Sequence, residues 1–339
     1  MSSTKHHRLG QCSGGVTLAA AVPETAVRPT ECAVMVEVHE CDGEADEQIS
    51  LDVYNAVWPH DAVTMDEVRS FKASVVAHVD YLALLDRTVA GSAVAVVFPQ
   101  RPGRVFTLVT VRPEHRRRGV GSALYEAVSA WAVGRGLREL EVPVLDNDSG
   151  SLAFGEARGF VEERRELGVV LHLSEIEPPS VEPPDGVQIV TWAQRPELAR
   201  GLYEVACEAL PDIPGSEHDA VEPFEDWLAH EMQGSGDRPD ATFIAVAGDE
   251  VVGYAKFSLT AAQPTTAHHD LSGVKRAWRG QGVARALKAA EINWALANGY
   301  RELHTRNEQR NEPIRRLNAR FGYRPGIGRI YLVGPIAAP

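Results

Sequence analysis

The sequence predicts an α/β protein made of two copies of one mixed, mostly antiparallel sheet flanked by helices. Three observations carry this: the length, the order of strand-like and helix-like runs, and a repeat at one fixed spacing. At 339 residues the chain is long enough for two domains, each with its own core. Strand-like alternation and helical periodicity succeed one another twice in the same order, which indicates mixed α/β layers. Gly119 and Gly282 lie 163 positions apart (282 − 119), as do Gly159 and Gly322. At that offset Leu124 meets Leu287, Trp131 meets Trp294, and Arg138-Glu139-Leu140 meets Arg301-Glu302-Leu303. A register held without insertion from Val111/Val274 to Gly159/Gly322 marks a tandem duplication.

The first 30 residues read as a disordered tail. Lys5 and Arg8 stand before the apolar run 16–22, which is too short for a convincing signal peptide. The first domain, 31–175, begins with a strand at 33–39 and helices at 46–57 and 65–74, separated by Trp58-Pro59-His60-Asp61. Strands at 80–85, 92–98 and 104–111 lead to a glycine-rich turn and a helix ending near Gly134. A strand at 137–145, a short helix to Arg158 and a closing strand pair ending at 169–173 complete it. Pro178, Pro179, Pro183 and Pro184 among acids make 176–186 an extended linker. The second domain, 187–339, repeats the order: strand 187–192, helices 196–209 and 224–232, and strands 242–247, 251–259 and 266–274. A second glycine-rich turn and helix, strand 301–306, helix 312–321 and strand 329–333 follow.

Composition excludes several function classes. A net charge of −13 argues against general nucleic-acid binding, which needs a basic face. No apolar stretch reaches the length of a membrane span. Cys12, Cys32, Cys41 and Cys207 show no CxxC spacing and no paired-histidine pattern, so neither a disulfide framework nor a metal site is expected. A reducing, cytoplasmic setting fits that usage.

Chemistry is concentrated in Arg116-Arg117-Arg118-Gly119-Val120-Gly121 and Arg279-Gly280-Gln281-Gly282-Val283-Ala284. Each stands between a strand and a helix. Glycines there let a ligand approach the backbone, and the free N–H groups and dipole of the helix start favour an anion. One such turn alone would read as a plain cap; two in register read as phosphate seats.

At these residues the sequence resembles, twice over, the GNAT superfamily of N-acetyltransferases, whose signature is Gln/Arg-x-x-Gly-x-Gly/Ala between a long strand and a helix. Gly159-Phe160 and Gly322-Tyr323, each after a short helix, support the resemblance. Thr305-Arg306-Asn307 with Asn311 and Asn318 resembles the second half of double-GNAT proteins, a layout shared with mycothiol synthase. The resemblance implies acetyl-CoA as cofactor, in a splay between two parallel strands. Its pyrophosphate would lie on the turn residues 117–122 (Arg117, Arg118, Gly119, Val120, Gly121, Ser122) or 281–285 (Gln281, Gly282, Val283, Ala284, Arg285), with Gly280 among the cofactor contacts and Arg116 and Arg279 adding charge. Val111 and Val274 would offer backbone groups to the pantetheine arm, and Asn311 and Asn318 further contacts.

Amine acetylation needs a proton acceptor. If 268, 270, 272 and 274 share one strand face, the family pattern puts His268 at the base position with Asp270 beside it. At the fixed offset the first copy has Val105 and Thr107, so the second copy is expected to be the catalytic one. The family's proton-donating tyrosine is missing from both copies: Gly155 and Asn318 stand at its place, and the general acid is unassigned. Acceptor choice is expected from 204–227, including Asp212, Glu217, His218, Asp219 and Glu222, acids that would suit a small cationic amine. The expected activity is acetyl-CoA-dependent N-acetylation of a small-molecule amine, the first copy being degenerate or cofactor-binding only. The alternatives are a non-catalytic acyl-CoA sensor and a mycothiol-synthase-like enzyme.

Overall fold

Both halves lay down the same elements in the same order. The computed structural model describes residues 35–215 and 221–337. The expected tail, the start of the first strand, and Glu217, His218 and Asp219 lie outside the described residues. The first half runs β1 (Val36–Glu40), α1 (Glu44–Val57), α2 (Met65–Ala73), β2 (Ala77–Leu85), β3 (Thr88–Val97), β4 (Val105–Val111), α3 (Val120–Gly134), β5 (Glu139–Leu145), α4 (Ser149–Glu156) and β6 (Val161–His172). The second runs β7 (Val187–Thr191), α5 (Ala199–Ala209), α6 (Phe224–Glu231), β8 (Thr242–Ala247), β9 (Glu250–Ser258), β10 (Thr266–Val274), α7 (Val283–Ala297), β11 (Glu302–Glu308), α8 (Glu312–Arg320), β12 (Arg324–Pro325) and β13 (Arg329–Pro335).

Side-chain alternation sets the layers. On β3, Ala93, Ala95 and Val97 pack with Leu124, Val128 and Ala132 of α3. Ser92, one residue out of phase, turns to the other face and donates to the Ser50 carbonyl of α1 (3.4 Å). Helices α1 and α3 therefore cover opposite faces. In the second half α7 covers one face and α5 with α6 the other, each over its own apolar cluster.

The described strands join in one sheet of order β1-β2-β3-β4-β5-β13-β6-β11-β10-β9-β8-β7, with β12 beside β6. The halves exchange their last strands. β6, one continuous strand rather than the expected pair, closes the second half by pairing its residues 166–172 with β11. β13 closes the first half by pairing with β5. The exchanged strands also pair with each other. Thus the boundary at 176–186 separates two repeats in sequence, while each repeat completes the other in space. The linker is extended, as its prolines require, and is pinned to α7 by Asn293 Nδ2 donating to the Pro179 carbonyl (2.9 Å) and by Arg285–Glu182 (3.0 Å).

Both parallel pairs part company early. β4 and β5 pair only at Val105–Leu140 and Phe106–Glu141, although β4 continues to Val111 and β5 to Leu145. β10 and β11 pair from Thr266–Glu302 to His268–His304 and then diverge. Of the two corresponding strands β4 and β10, β10 carries a bulge: Asp270 and Leu271 together oppose Lys256 of β9, whereas β4 pairs with β3 in unbroken register.

Candidate active sites

The two helix starts share a backbone. Gly119 and Gly282 both precede their helices in the left-handed region, with φ of 89° and 100°. Two residues earlier Arg117 (63°) and Gly280 (75°) do the same. No side chain caps either helix, and neither first turn holds an acid. The first-turn N–H groups are left to an external acceptor. Val120 and Val283 turn their side chains into the cores and offer only backbone. Arg116 and Arg279 fold back on the strand before the turn, Nε donating to the carbonyls of Val111 (3.3 Å) and Val274 (2.9 Å). Those carbonyls, expected to face the pantetheine arm, thus already accept one bond each.

Neighbouring charges are engaged. Arg118 pairs with Asp86, Ser122 accepts from Arg158, and Gln281 donates to the Ala277 carbonyl. Asp212, expected at an acceptor mouth, instead binds Arg276 and Arg279 (both 2.7 Å), which lower its carboxyl to about 2. It stands on the phosphate side of the second half. Glu222 pairs with His230 (2.8 Å).

In the first half the splay opens into a cleft of about 650 Å³. Arg116, Gly119 and Gly121 stand on its wall, and Tyr125, Val128, Val142, Phe160 and Leu332 line it with apolar surface. Val57 and Trp58 line it too, although α1 lies on the opposite face, so the cleft passes through the gap between β4 and β5. Free helix-start donors at one end and an apolar slot between the strands fit a phosphorylated ligand with a long arm. Glycine at 155 is a packing requirement, since a Cβ there would come within 2.8 Å of Leu332.

The second half presents a different interior. Because of the bulge, 268, 270, 272 and 274 do not share a face. Leu271 packs with the α5–α6 cluster, while Val274 packs with the α7 cluster. The bulge also shifts the comparison between copies by one residue. His268 lies opposite His304 as Phe106 lies opposite Glu141, so Phe106, not Val105, is its counterpart. Burial, and then His304, push the His268 imidazole down to about 4, so it is neutral at pH 7. Its Nε2 is 3.4 Å from Gln263 Oε1. Asp270 does not stand free beside it but pairs with buried Lys256 (2.7 Å), which also holds Asp237 (2.6 Å). Glu231 at the end of α6 is exposed; desolvation by its surroundings and then the charge of Asp270 push its carboxyl up.

Beneath β10 lies a buried charged row. His269 Nδ1 is 3.1 Å from Glu291 and Nε2 is 2.5 Å from the Tyr323 hydroxyl, with Lys288 Nζ 3.5 Å from the other Glu291 oxygen. Burial raises the Glu291 carboxyl, but His269 and Lys288 outweigh it and leave it below its ordinary value. The first half has Tyr125, Val128 and Phe160 at the places of Lys288, Glu291 and Tyr323, and there they line the open cleft. The row therefore sits where the second cleft would have its floor. Asn318 is buried and donates to Asn307 (2.7 Å); Asn311 stands at the start of α8 without capping it.

The sequence located both turns and singled out His268, on a strand face the bulge does not keep, but did not single out Trp58, Asp61, Glu231, Lys256 or the His269–Glu291–Tyr323 row. An apolar face interrupted by Lys288 and Glu291 was the one signal available for the row.

Comparison with known proteins agrees with this architecture. The model of the acetyltransferase (GNAT) family matches residues 47–160 and 199–323, and the chain belongs to that family. It is an acetyltransferase of tandem GNAT layout. A mycothiol acetyltransferase from Catenulispora acidiphila is 27% identical over 223 residues, 63% of this chain and 68% of the relative. The fold is shared with a GCN5-related N-acetyltransferase from Sphaerobacter thermophilus, at 21% identity and TM-score 0.71 over 89% of this chain and 96% of that one. It is shared as well with a tandem GNAT protein from the clavulanic acid biosynthesis pathway, at 20% identity and TM-score 0.70 over 90% of this chain and 100% of the other. No helix among the described residues is long and apolar enough to cross a membrane.

Proposed function

We propose that the chain transfers an acetyl group from acetyl-CoA to the primary amine of a small cationic molecule in its second half, while the first-half cleft holds acyl-CoA without transferring it. The observation that supports this reading best is the pair His268 and Phe106: at one place in the two copies stand a neutral imidazole and a phenyl ring. Acetyl-CoA supplies an acyl group already activated as a thioester. The N–H groups of residues 282–285 and the cation of Arg279 would hold its phosphates, with Asn311 close by. His268, neutral at working pH, would accept a proton from the acceptor amine as the C–N bond forms and the thioester C–S bond breaks, the departing coenzyme A thiolate taking up a proton from solvent water. Glu231, Asp237 and Asp270 gather about Lys256 with an excess of carboxylate, which would favour a cationic acceptor. Cysteine usage fits a cytoplasmic setting, and mycothiol-type acetylation is a narrower form of the same reading.

Thiol release from acetyl-CoA over a panel of small primary amines tests it, using Ala284→Glu and Gly121→Glu. Both positions lie in a first helical turn outside the left-handed region, so the helix keeps its form while a carboxylate enters the phosphate seat. Turnover should vanish in Ala284→Glu and persist in Gly121→Glu. The opposite pattern moves the chemistry to the first half; binding without turnover on any amine supports an acyl-CoA sensor instead.

A further inference from the structure

Trp58 and Asp61 belong to one short segment yet serve both halves. Trp58 lines the first-half cleft, and its ring is 5.7 Å from the Arg329 guanidinium. Asp61, its side chain 9% exposed, accepts from Arg306 Nη2 of β11 (2.7 and 2.8 Å) and pairs with Arg329 (2.9 Å). The next residue, Ala62, accepts through its carbonyl from Gln263 Nε2 (3.1 Å), and the other end of that amide is the group 3.4 Å from His268. Two residues of the second half thus carry Asp61 and Ala62 to the edge of the His268 site. Between the two ends Pro59–Asp61 forms a single 3-10 turn, with φ fixed at Pro59 and the Asp61 N–H donating to the Trp58 carbonyl (2.9 Å), which ties Asp61 directly to Trp58.

From this we propose that the first-half cleft is an effector site for acyl-CoA, read at His268 of the second half through Trp58, Asp61 and Gln263. The proposal rests on the reading above that this cleft takes acyl-CoA. A ligand there touches Trp58 directly and so discriminates between its positions, which is what any shift of a conformational equilibrium requires. Moving Asp61 moves Arg306 and with it the charges facing His268. Linkage makes the effect reciprocal: occupancy of the second site alters affinity at the first by the same factor.

The test uses the full chain with coenzyme A as probe. In Ala284→Glu, coenzyme A binds only the first cleft, and calorimetry reports it. Filling that cleft should move the His268 ring resonance in protein carrying labelled histidine, the peak being identified by its loss in His268→Gln. In the wild-type chain the two sites should differ about fivefold from their affinities in the single-site variants. Gln263→Leu, which lies outside the cleft lining, should bind coenzyme A yet leave the His268 resonance unresponsive to it, and Asp61→Asn with its fold checked by circular dichroism should do the same. A filled first cleft with an unmoved His268 peak overturns the coupling alone. No binding in Ala284→Glu, with the fold intact by circular dichroism, overturns both the coupling and the cofactor reading of the first half.

Discussion

Asp61 and Arg306 stand 245 positions apart in the chain, yet the carboxylate of one lies 2.7 Å from the guanidinium of the other. Arg306 and Arg329 outweigh burial and hold the Asp61 carboxyl below its ordinary range. Removing the negative charge would leave two largely enclosed guanidiniums uncompensated. Asp61→Asn is therefore expected to lower unfolding free energy by about 3 kcal/mol, measured by denaturant titration. A change under about 0.5 kcal/mol would show the cluster to be surface-like.

The pH dependence follows from His268. Its imidazole ionises near 4 in the folded chain against 6.5 ordinarily. The unfolded chain therefore takes up the proton first as pH falls. Stability should decline from about pH 6.5 downward and level off for this group near 4. In His268→Gln that part of the decline should disappear from thermal scans. The base role we propose for His268 predicts an acid limb of kcat/KM near 4, absent from the variant.

The buried row gives a second, independent expectation. Glu291→Gln leaves Lys288 without its counter-charge and His269 without its carboxylate partner in a dry site. A loss of about 3 kcal/mol is expected by denaturant titration, with the first-half cleft still binding coenzyme A.

Arg117 holds a left-handed conformation that the other copy gives to Gly280. Arg117→Gly should therefore raise stability by about 1 kcal/mol, read as a higher Tm. It should at the same time weaken coenzyme A at the first cleft by removing a nearby cation.

What was legible in the sequence was what local chemistry dictates. Gly119 and Gly282 announce a left-handed turn, the apolar spacing of α3 and α7 announces the helices behind it, and prolines 178 to 184 announce an extended crossing. The bulge at Asp270–Leu271 was hidden because the 163-residue offset is exact at Val111 and Val274, on its far side, and fails by one only at His268. A period of two cannot reveal an extra residue without the partner strand. The exchange of β6 and β13 was equally hidden: each strand carries the same alternation whichever copy it pairs with. Asp61, Trp58 and the Glu291 row depend on contacts across the fold, and no spacing along the chain encodes them.

The exchanged strand also fixes when the first cleft can exist. Leu332 of β13 is part of its wall, and Tyr125 donates to the carbonyl of Pro335, 210 positions later. During synthesis the first half leaves the ribosome with the edge of β5 bare, and must wait for β13 before its slot closes. An isolated first half should be an aggregation-prone fragment rather than a small cofactor-binding module. The duplicated chain has in this way made each copy depend on the other: the second half is closed by the strand that ends the first, and the first cleft by the last strand made.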